Sequence, residues 1–123
     1  MLIGVGCDVI EIARVQKAIE REAFVERVYA PSEIAYCRSR GKQAAASFAA
    51  RFAAKEAVLK ALGTGLRGGE LQEIVIANDV LGKLRVQLVG YHAQLAEQLG
   101  VKNIAISMSH SREMALAYVV MEG

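Results

Sequence analysis

Tryptophan is absent from this chain of 123 residues, proline occurs once, and aromatic residues of all kinds make up 6%. So few rings leave little on which bases could stack, which argues against an RNA-binding sheet. A charge excess of one sign is missing too. Fifteen Lys and Arg stand against 13 Asp and Glu, a formal net charge of +2, too small for a general nucleic-acid binder. Cysteine occurs twice, Cys7 and Cys37, far apart and without a CxxC or a histidine at ligand spacing. Zinc is therefore not expected, and both thiols read as reduced and half-buried. No uncharged run reaches the roughly 18 residues that a membrane-crossing helix needs. The opening Met1 to Asp8 has no basic leader and meets an acid early, so no secretory signal is expected. A cytoplasmic protein with no nucleic-acid and no membrane partner is the expectation.

What the chain has in quantity is alanine, at 20 positions, within a hydrophobic fraction of 54%. That composition rules out disorder and suits one core, so residues 1–123 are read as a single domain. Residues 3–9 alternate as a strand does, with Ile3, Val5, Cys7 and Val9 on one face and Gly4, Gly6 and Asp8 on a bare one. Residues 11–22 read as a helix with Ile12, Val15 and Ile19 inward and Arg14, Lys17 and Arg21 as a basic stripe. A short helix over Phe24 to Tyr29 follows, then a new helix start at Pro31-Ser32-Glu33 with Ser32 as the candidate cap. The helix over roughly 42–62 is unusual. Phe48, Phe52, Leu59 and Leu62 line one face, and Ala46, Ala50, Ala53, Ala57 and Ala61 line the other. A helix apolar or small all round is normally buried all round. Gly63 ends it. Strands at 73–78 and 83–89 flank a turn at Asp79 to Gly82. A helix at 91–99 and strands at 103–109 and 114–121 complete the chain. The fold class is α+β, an antiparallel sheet of hairpins packed on a long central helix.

Several groups invite chemistry. The run Gly63-Thr64-Gly65-Leu66-Arg67-Gly68 matches GxGxxG, but it follows a helix where the dinucleotide fingerprint follows a strand. Its glycines still allow close backbone approach to something bulky and anionic. On the central helix, Lys55 shares the side of Phe48, Phe52 and Leu59, with Arg51, Glu56 and Lys60 on the flanks. Either Glu56 and Lys60 form an ordinary i,i+4 pair on a solvated face, or these charges meet an anionic ligand and a bridging cation. Asp8 is either a cap for the next helix or a ligand for a hard cation. His110, between Ser109 and Ser111, is either merely exposed or a phosphate contact. His92 has no supporting constellation and reads as surface. The basic stripe is a solvated face or a dock for an acidic protein.

Three segments read together resemble one family. They are Gly4-Val5-Gly6-Cys7-Asp8-Val9-Ile10-Glu11-Ile12-Ala13-Arg14, then Arg51-Phe52-Ala53-Ala54-Lys55-Glu56-Ala57 with Lys60-Ala61-Leu62-Gly63-Thr64-Gly65, and Ile106-Ser107-Met108-Ser109-His110-Ser111. They are similar to the holo-acyl-carrier-protein synthases, the small bacterial class of 4′-phosphopantetheinyl transferases, in family order and at family length. One departure shows, Leu84 after Gly82-Lys83 where the family often has proline. The resemblance implies transfer of phosphopantetheine from coenzyme A to a serine of apo acyl carrier protein, with release of adenosine 3′,5′-bisphosphate, in fatty acid biosynthesis. It implies Mg²⁺ held by Asp8 and Glu56, and Glu56, directly or through a bound water, taking the serine proton. Lys60 would offset pyrophosphate charge, with Gly63 and Gly65 letting backbone amides approach. Arg51, His110 and Ser111 would hold the adenosine phosphates, with Lys55 as a further anion contact. Arg14 and Arg21 would face the carrier protein.

The resemblance also implies a homotrimer with active sites between subunits. On this expectation an uncovered side of the central helix meets a neighbouring subunit. Asp8, Glu56 and Lys60 come from one subunit, Arg51 and His110 from the next. The rival reading is a coenzyme A-binding module without chemistry, which would gain nothing from two carboxylates beside phosphates.

Overall fold

The glycines of the first strand set the architecture. In the computed structural model, which describes residues 1–65 and 68–123, strand β1 spans Leu2–Glu11 and the long helix α4 spans Ala44–Leu62. A Cβ placed on Gly4 would lie 2.1 Å from the carbonyl oxygen of Ala61, and one on Gly6 would lie 2.0 Å from that of Ala57. The bare face of β1 is therefore the buried one: helix backbone lies directly on strand backbone, with alanine on one side and glycine on the other. Both residue types are needed, because any larger side chain would hold the two elements apart.

Between them, α1 spans Ile12–Ala18, α2 Glu22–Val28 and α3 Pro31–Arg38. The expected helix over 11–22 thus stops early. At about 100° per residue, Ile12, Val15 and Ile19 cluster on one side of the axis, whereas Phe24 and Val28 would fall nearly opposite. The chain breaks and turns so that Val15, Val25, Val28 and Tyr29 are all buried. Arg14 and Lys17 consequently ride on α1, while Arg21 occupies the extended position before α2. Nor is Ser32 the cap of α3. Ala30 is the extended residue before the helix, Pro31 takes the first turn, and the Glu33 carboxylate accepts the Ala30 N–H at 2.8 Å.

After α4 come β2 (Ile74–Asn78), β3 (Leu84–Leu88), α5 (Gly90–Gln98), β4 (Asn103–His110) and β5 (Met114–Glu122). One antiparallel sheet has the order β1-β5-β4, and β2 and β3 form a separate hairpin. The α+β class, the hairpins and the central helix stand as expected. Helix α4 packs on β1, β5 and β4 along one side and against α1, α3 and β2 on others. It leaves no apolar side open, contrary to the expectation that it would meet a neighbouring subunit. An open apolar surface is found instead on the outer face of the three-stranded sheet. There Val5 pairs with Val120, Cys7 with Tyr118 and Val9 with Leu116, and Val5, Val9, Leu116 and Tyr118 are each 44–56% exposed. Among the described residues no helix is long and apolar enough to cross a membrane.

Candidate active site

The close contact of β1 with α4 carries charge to one place. Asp8 lies on the helix-facing side of β1, two residues beyond Gly6. Its Oδ1 accepts from Lys60 Nζ at 3.1 Å, and the same ammonium donates to the Cys7 carbonyl at 3.0 Å. Asp8 caps nothing: α1 begins after Glu11 without a side-chain cap. Glu56, one turn before Lys60, is half-buried. Burial pushes its carboxyl above the usual carboxylate range, the negative charge of Asp8 pushes it further, and Lys60 opposes both. Lys60 itself is raised, first by its hydrogen bond to Asp8. The expected alternative, a Glu56–Lys60 pair on a solvated face, is not what forms; Lys60 bonds across to the strand.

Two carboxylates close enough to repel, with one exposed ammonium between strand and helix, are under-neutralised. Among the described residues no cluster of three or more Asp, Glu, His or Cys exists that could enclose a metal. The donor set suits a hard cation that takes one or two carboxylates and completes its shell with water and phosphate oxygens. Asp8 and Glu56 fit Mg²⁺ on that ground.

Just past Lys60, Gly63 and Gly65 adopt φ of +81° and +63°. Among the described residues nothing lies within 4 Å of a Cβ built on either. Their glycine identity answers to backbone conformation, and their open side leaves room for a ligand. Leu66 and Arg67, in the middle of the glycine-rich run, lie outside the described residues.

Arg51 belongs to a different neighbourhood. Five residues before Glu56 on the same helix, it points about 140° away around the axis. It lines a cavity of about 520 Å³ together with Tyr36, Asn78, Leu84 and His110. Arg51 is 3% exposed. It donates to Ser47 Oγ at 3.3 Å and to Asn78 Oδ1 at 2.8 Å, and it stacks 4.4 Å from the Tyr36 ring centroid. Its Nε has no partner among the described residues, and all its contacts are neutral. A buried cation without a counter-charge is costly, and an anion in the cavity would compensate it. His110 also borders a second cavity of about 510 Å³ lined by Lys42, Gln43, Ser111 and Arg112. The Ser111 hydroxyl accepts the backbone N–H of Met114 at 3.2 Å and closes the turn before β5. Neither cavity is lined by Asp8, Glu56 or Lys60.

Lys55 does not join either group. It is fully buried, with its ammonium on Glu33 Oε1 at 2.7 Å, on the Leu71 carbonyl at 3.1 Å and on the Ile74 carbonyl. All three protons are spent inside the core, so the expected role as an anion contact is corrected to a structural one. Burial pulls this lysine below its usual range, and the Glu33 carboxylate opposes that pull. Glu33 ties the helix to the hairpin by also accepting the Ile76 N–H at 3.0 Å. His92 is likewise no surface residue: it is fully buried beside Glu73. Of the thiols, Cys7 is exposed and Cys37 buried. Arg14 and Arg21 are both exposed. Sequence reasoning missed Tyr36, Asn78, Lys42 and Arg112. None stands in a chemical motif; Arg112 neighbours His110 in the chain, and only the fold brings Tyr36, Asn78 and Lys42 there.

Comparison with known proteins gives a consistent result. The family model of the 4′-phosphopantetheinyl transferase superfamily matches residues 4–119. A holo-[acyl-carrier-protein] synthase of Solibacter usitatus is 45% identical over 125 residues, covering 99% of both chains. The crystal structure of the holo-[acyl-carrier-protein] synthase of Neisseria meningitidis superposes with a TM-score of 0.91 at 34% identity, over 100% of each chain. That of Helicobacter pylori, in complex with coenzyme A, gives 0.83 at 30% identity, over 96% of this chain and 99% of the other.

Proposed function

The chain belongs to the 4′-phosphopantetheinyl transferase superfamily, and on that premise we infer that it transfers 4′-phosphopantetheine from coenzyme A to a serine of apo acyl carrier protein. The observation that carries this reading is the pairing of Asp8 and Glu56 beside Lys60, at the foot of two open-sided glycines. A module that only bound the coenzyme would gain nothing from two carboxylates next to phosphates. Residues 1–123 act as one transferase domain, in the cytoplasm, where the product serves fatty acid synthesis.

In the reaction the serine Oγ attacks the phosphorus that carries pantetheine. The bond from that phosphorus to the bridging oxygen breaks, and adenosine 3′,5′-bisphosphate leaves. Glu56, its carboxyl raised above the usual range by burial, takes the serine proton directly or through a bound water. Lys60 holds Asp8 in place and offsets charge on the pyrophosphate, while Gly63 and Gly65 allow backbone amides to approach it. Mg²⁺, held by Asp8 and Glu56, supplies further neutralisation of charge on the phosphate oxygens when bound. Arg51, His110 and Ser111 bind the adenosine phosphates, with Arg51 gaining the counter-charge it lacks. Arg14 and Arg21 receive the acidic carrier protein.

Because Glu56 and Arg51 open on different sides of α4, one coenzyme spans both groups only if two subunits contribute. The apolar outer face of the β1-β5-β4 sheet is what brings subunits together, and we place a homotrimer there, with each active site at a subunit boundary. The test is incubation with apo carrier protein, coenzyme A and Mg²⁺, read by intact mass of the carrier. A gain of one phosphopantetheine, lost in Asp8→Asn and Glu56→Gln, is the expected outcome. Coenzyme A binding with no mass gain overturns the reading.

A further inference from the structure

Glu73 and His92 form a buried pair that the transfer chemistry does not use. His92 is 0% exposed, and its Nδ1 lies 3.0 Å from Glu73 Oε1. Facing a carboxylate, Nδ1 carries the proton and donates it. Three glycines are packed onto this pair and its neighbour Tyr91. A Cβ on Gly69 would lie 2.7 Å from His92 Cε1 and 2.9 Å from Glu73 Oε1. One on Gly90 would lie 2.7 Å from Glu73 Oε2, and one on Gly68 would lie 3.0 Å from Tyr91 Cε1. Tyr91 in turn sets its ring edge-on to His92 at 5.5 Å. The backbone N–H of Val89 donates to the Glu73 carbonyl at 3.0 Å. The entry to α5 is thereby tied to the residues just after the glycine-rich segment.

That segment leaves α4 at Gly63, three residues after Lys60, and the chain joins this cluster at Gly68 and Gly69. Beyond it, the Glu70 carbonyl accepts the Glu73 N–H at 3.1 Å and the Leu71 carbonyl is bonded to Lys55. We propose that Glu73 and His92 are positioning residues that fix Gly69, where the chain returns to the fold beyond Gly63 and Gly65, so that this backbone is already ordered when the coenzyme A pyrophosphate binds. The proposal rests on the function inferred above. Without the pair, Gly69 is free as far as Glu70, and its backbone must be ordered when the coenzyme binds. Fixing one residue of backbone corresponds to about tenfold in affinity.

His92→Ala should therefore raise the KM for coenzyme A about tenfold and leave that for carrier protein unchanged. His92→Asn keeps a donor near the position of Nδ1 and should restore most of the loss. Gly69→Ala, which pushes a methyl into the pair, should raise the same KM alone but add nothing in the His92→Ala background. In the ligand-free protein, amide exchange at Gly68 and Gly69 should quicken in His92→Ala. An unchanged coenzyme A KM, or both KM values rising together with a fall in melting temperature, overturns the positioning role. Should His92→Ala fail to fold, the comparison of Gly69→Ala with wild type decides on the same KM split. A wild type that transfers nothing refutes the functional reading instead. Amide exchange and coenzyme A titration of the free protein then decide on the pair separately.

Discussion

Gly6→Ala is the smallest substitution that should separate the two halves of the carboxylate site. The added Cβ would begin 2.0 Å from the Ala57 carbonyl oxygen, so strand and helix must part by at least 1.0 Å to reach even a tight contact of 3.0 Å. The obstacle is backbone on a rigid helix, so no rotamer relieves it, and shortening the side chain by Ala57→Gly would not help. Overpacking of this kind costs about 1–3 kcal/mol. The same shift acts on Asp8, two residues along the strand, and on Lys60, one turn along the helix. Their 3.1 Å bond would lengthen beyond hydrogen-bonding range. A displacement of about 1 Å in a catalytic constellation costs on the order of a hundredfold in rate. Urea unfolding and the carrier mass assay measure the two effects in one preparation. A Gly6→Ala protein with wild-type midpoint and rate would refute the direct contact of β1 with α4 on which the site is built.

Glu33→Ala leaves Lys55 buried without its counter-charge and should cost about 3–5 kcal/mol in urea unfolding; a loss below about 1 kcal/mol would show that the pair is not what holds α3, α4 and β2 together. Because Glu56 is raised in the folded state, the native protein keeps a proton there that the unfolded chain has released, so stability falls as pH rises from the ordinary carboxylate value through the raised one. Glu56→Gln should then melt higher than wild type in metal-free neutral buffer and match it in acid; a Gln variant that is less stable at neutral pH contradicts the repulsion from Asp8. Arg14→Glu with Arg21→Glu should raise the KM for carrier protein, spare that for coenzyme A and flatten the salt dependence of the rate; an unchanged carrier KM returns both arginines to a solvated face. Leu116→Glu with Tyr118→Glu should give a folded monomer that transfers poorly, and a persistent trimer on sedimentation would move the interface elsewhere.

The elements were legible where the signal is local. Helix α4 announced itself by periodicity and a terminal glycine, and the hairpins by their turns. The break between α1 and α2 was also written in the chain, since the apolar stripe changes sides after Ile19, but a continuous basic stripe over Arg14, Lys17 and Arg21 masked it. Ser32 was the better cap by type; Glu33 prevailed because its carboxylate also serves Lys55 and Ile76, partners 22 and 43 residues away. His92 misled for the same reason, its partner Glu73 lying 19 residues earlier. The alternation in β1 was visible, but its sense was not. A face of glycines reads as bare until the helix that needs it is in place, and the aliphatic face then becomes the one left exposed.

Arg51 and Lys55 show where sequence reasoning stops. They stand four residues apart on the same helix, both cations among alanines, and both read as contacts for an anion. Burial is nearly equal, 3% exposed for one and 0% for the other, so accessibility does not separate them. The counter-charge does. Lys55 meets the Glu33 carboxylate and two carbonyls, which satisfy its three protons. Arg51 meets a hydroxyl, an amide oxygen and a ring, and keeps an unpaired Nε beside a cavity. A planar guanidinium with charge to spare suits a phosphate; an ammonium with none left suits only the core. The same pattern of residues thus holds one group for structure and, under the proposed function, one for ligand, and the difference lies in a single glutamate that only the folded chain brings near.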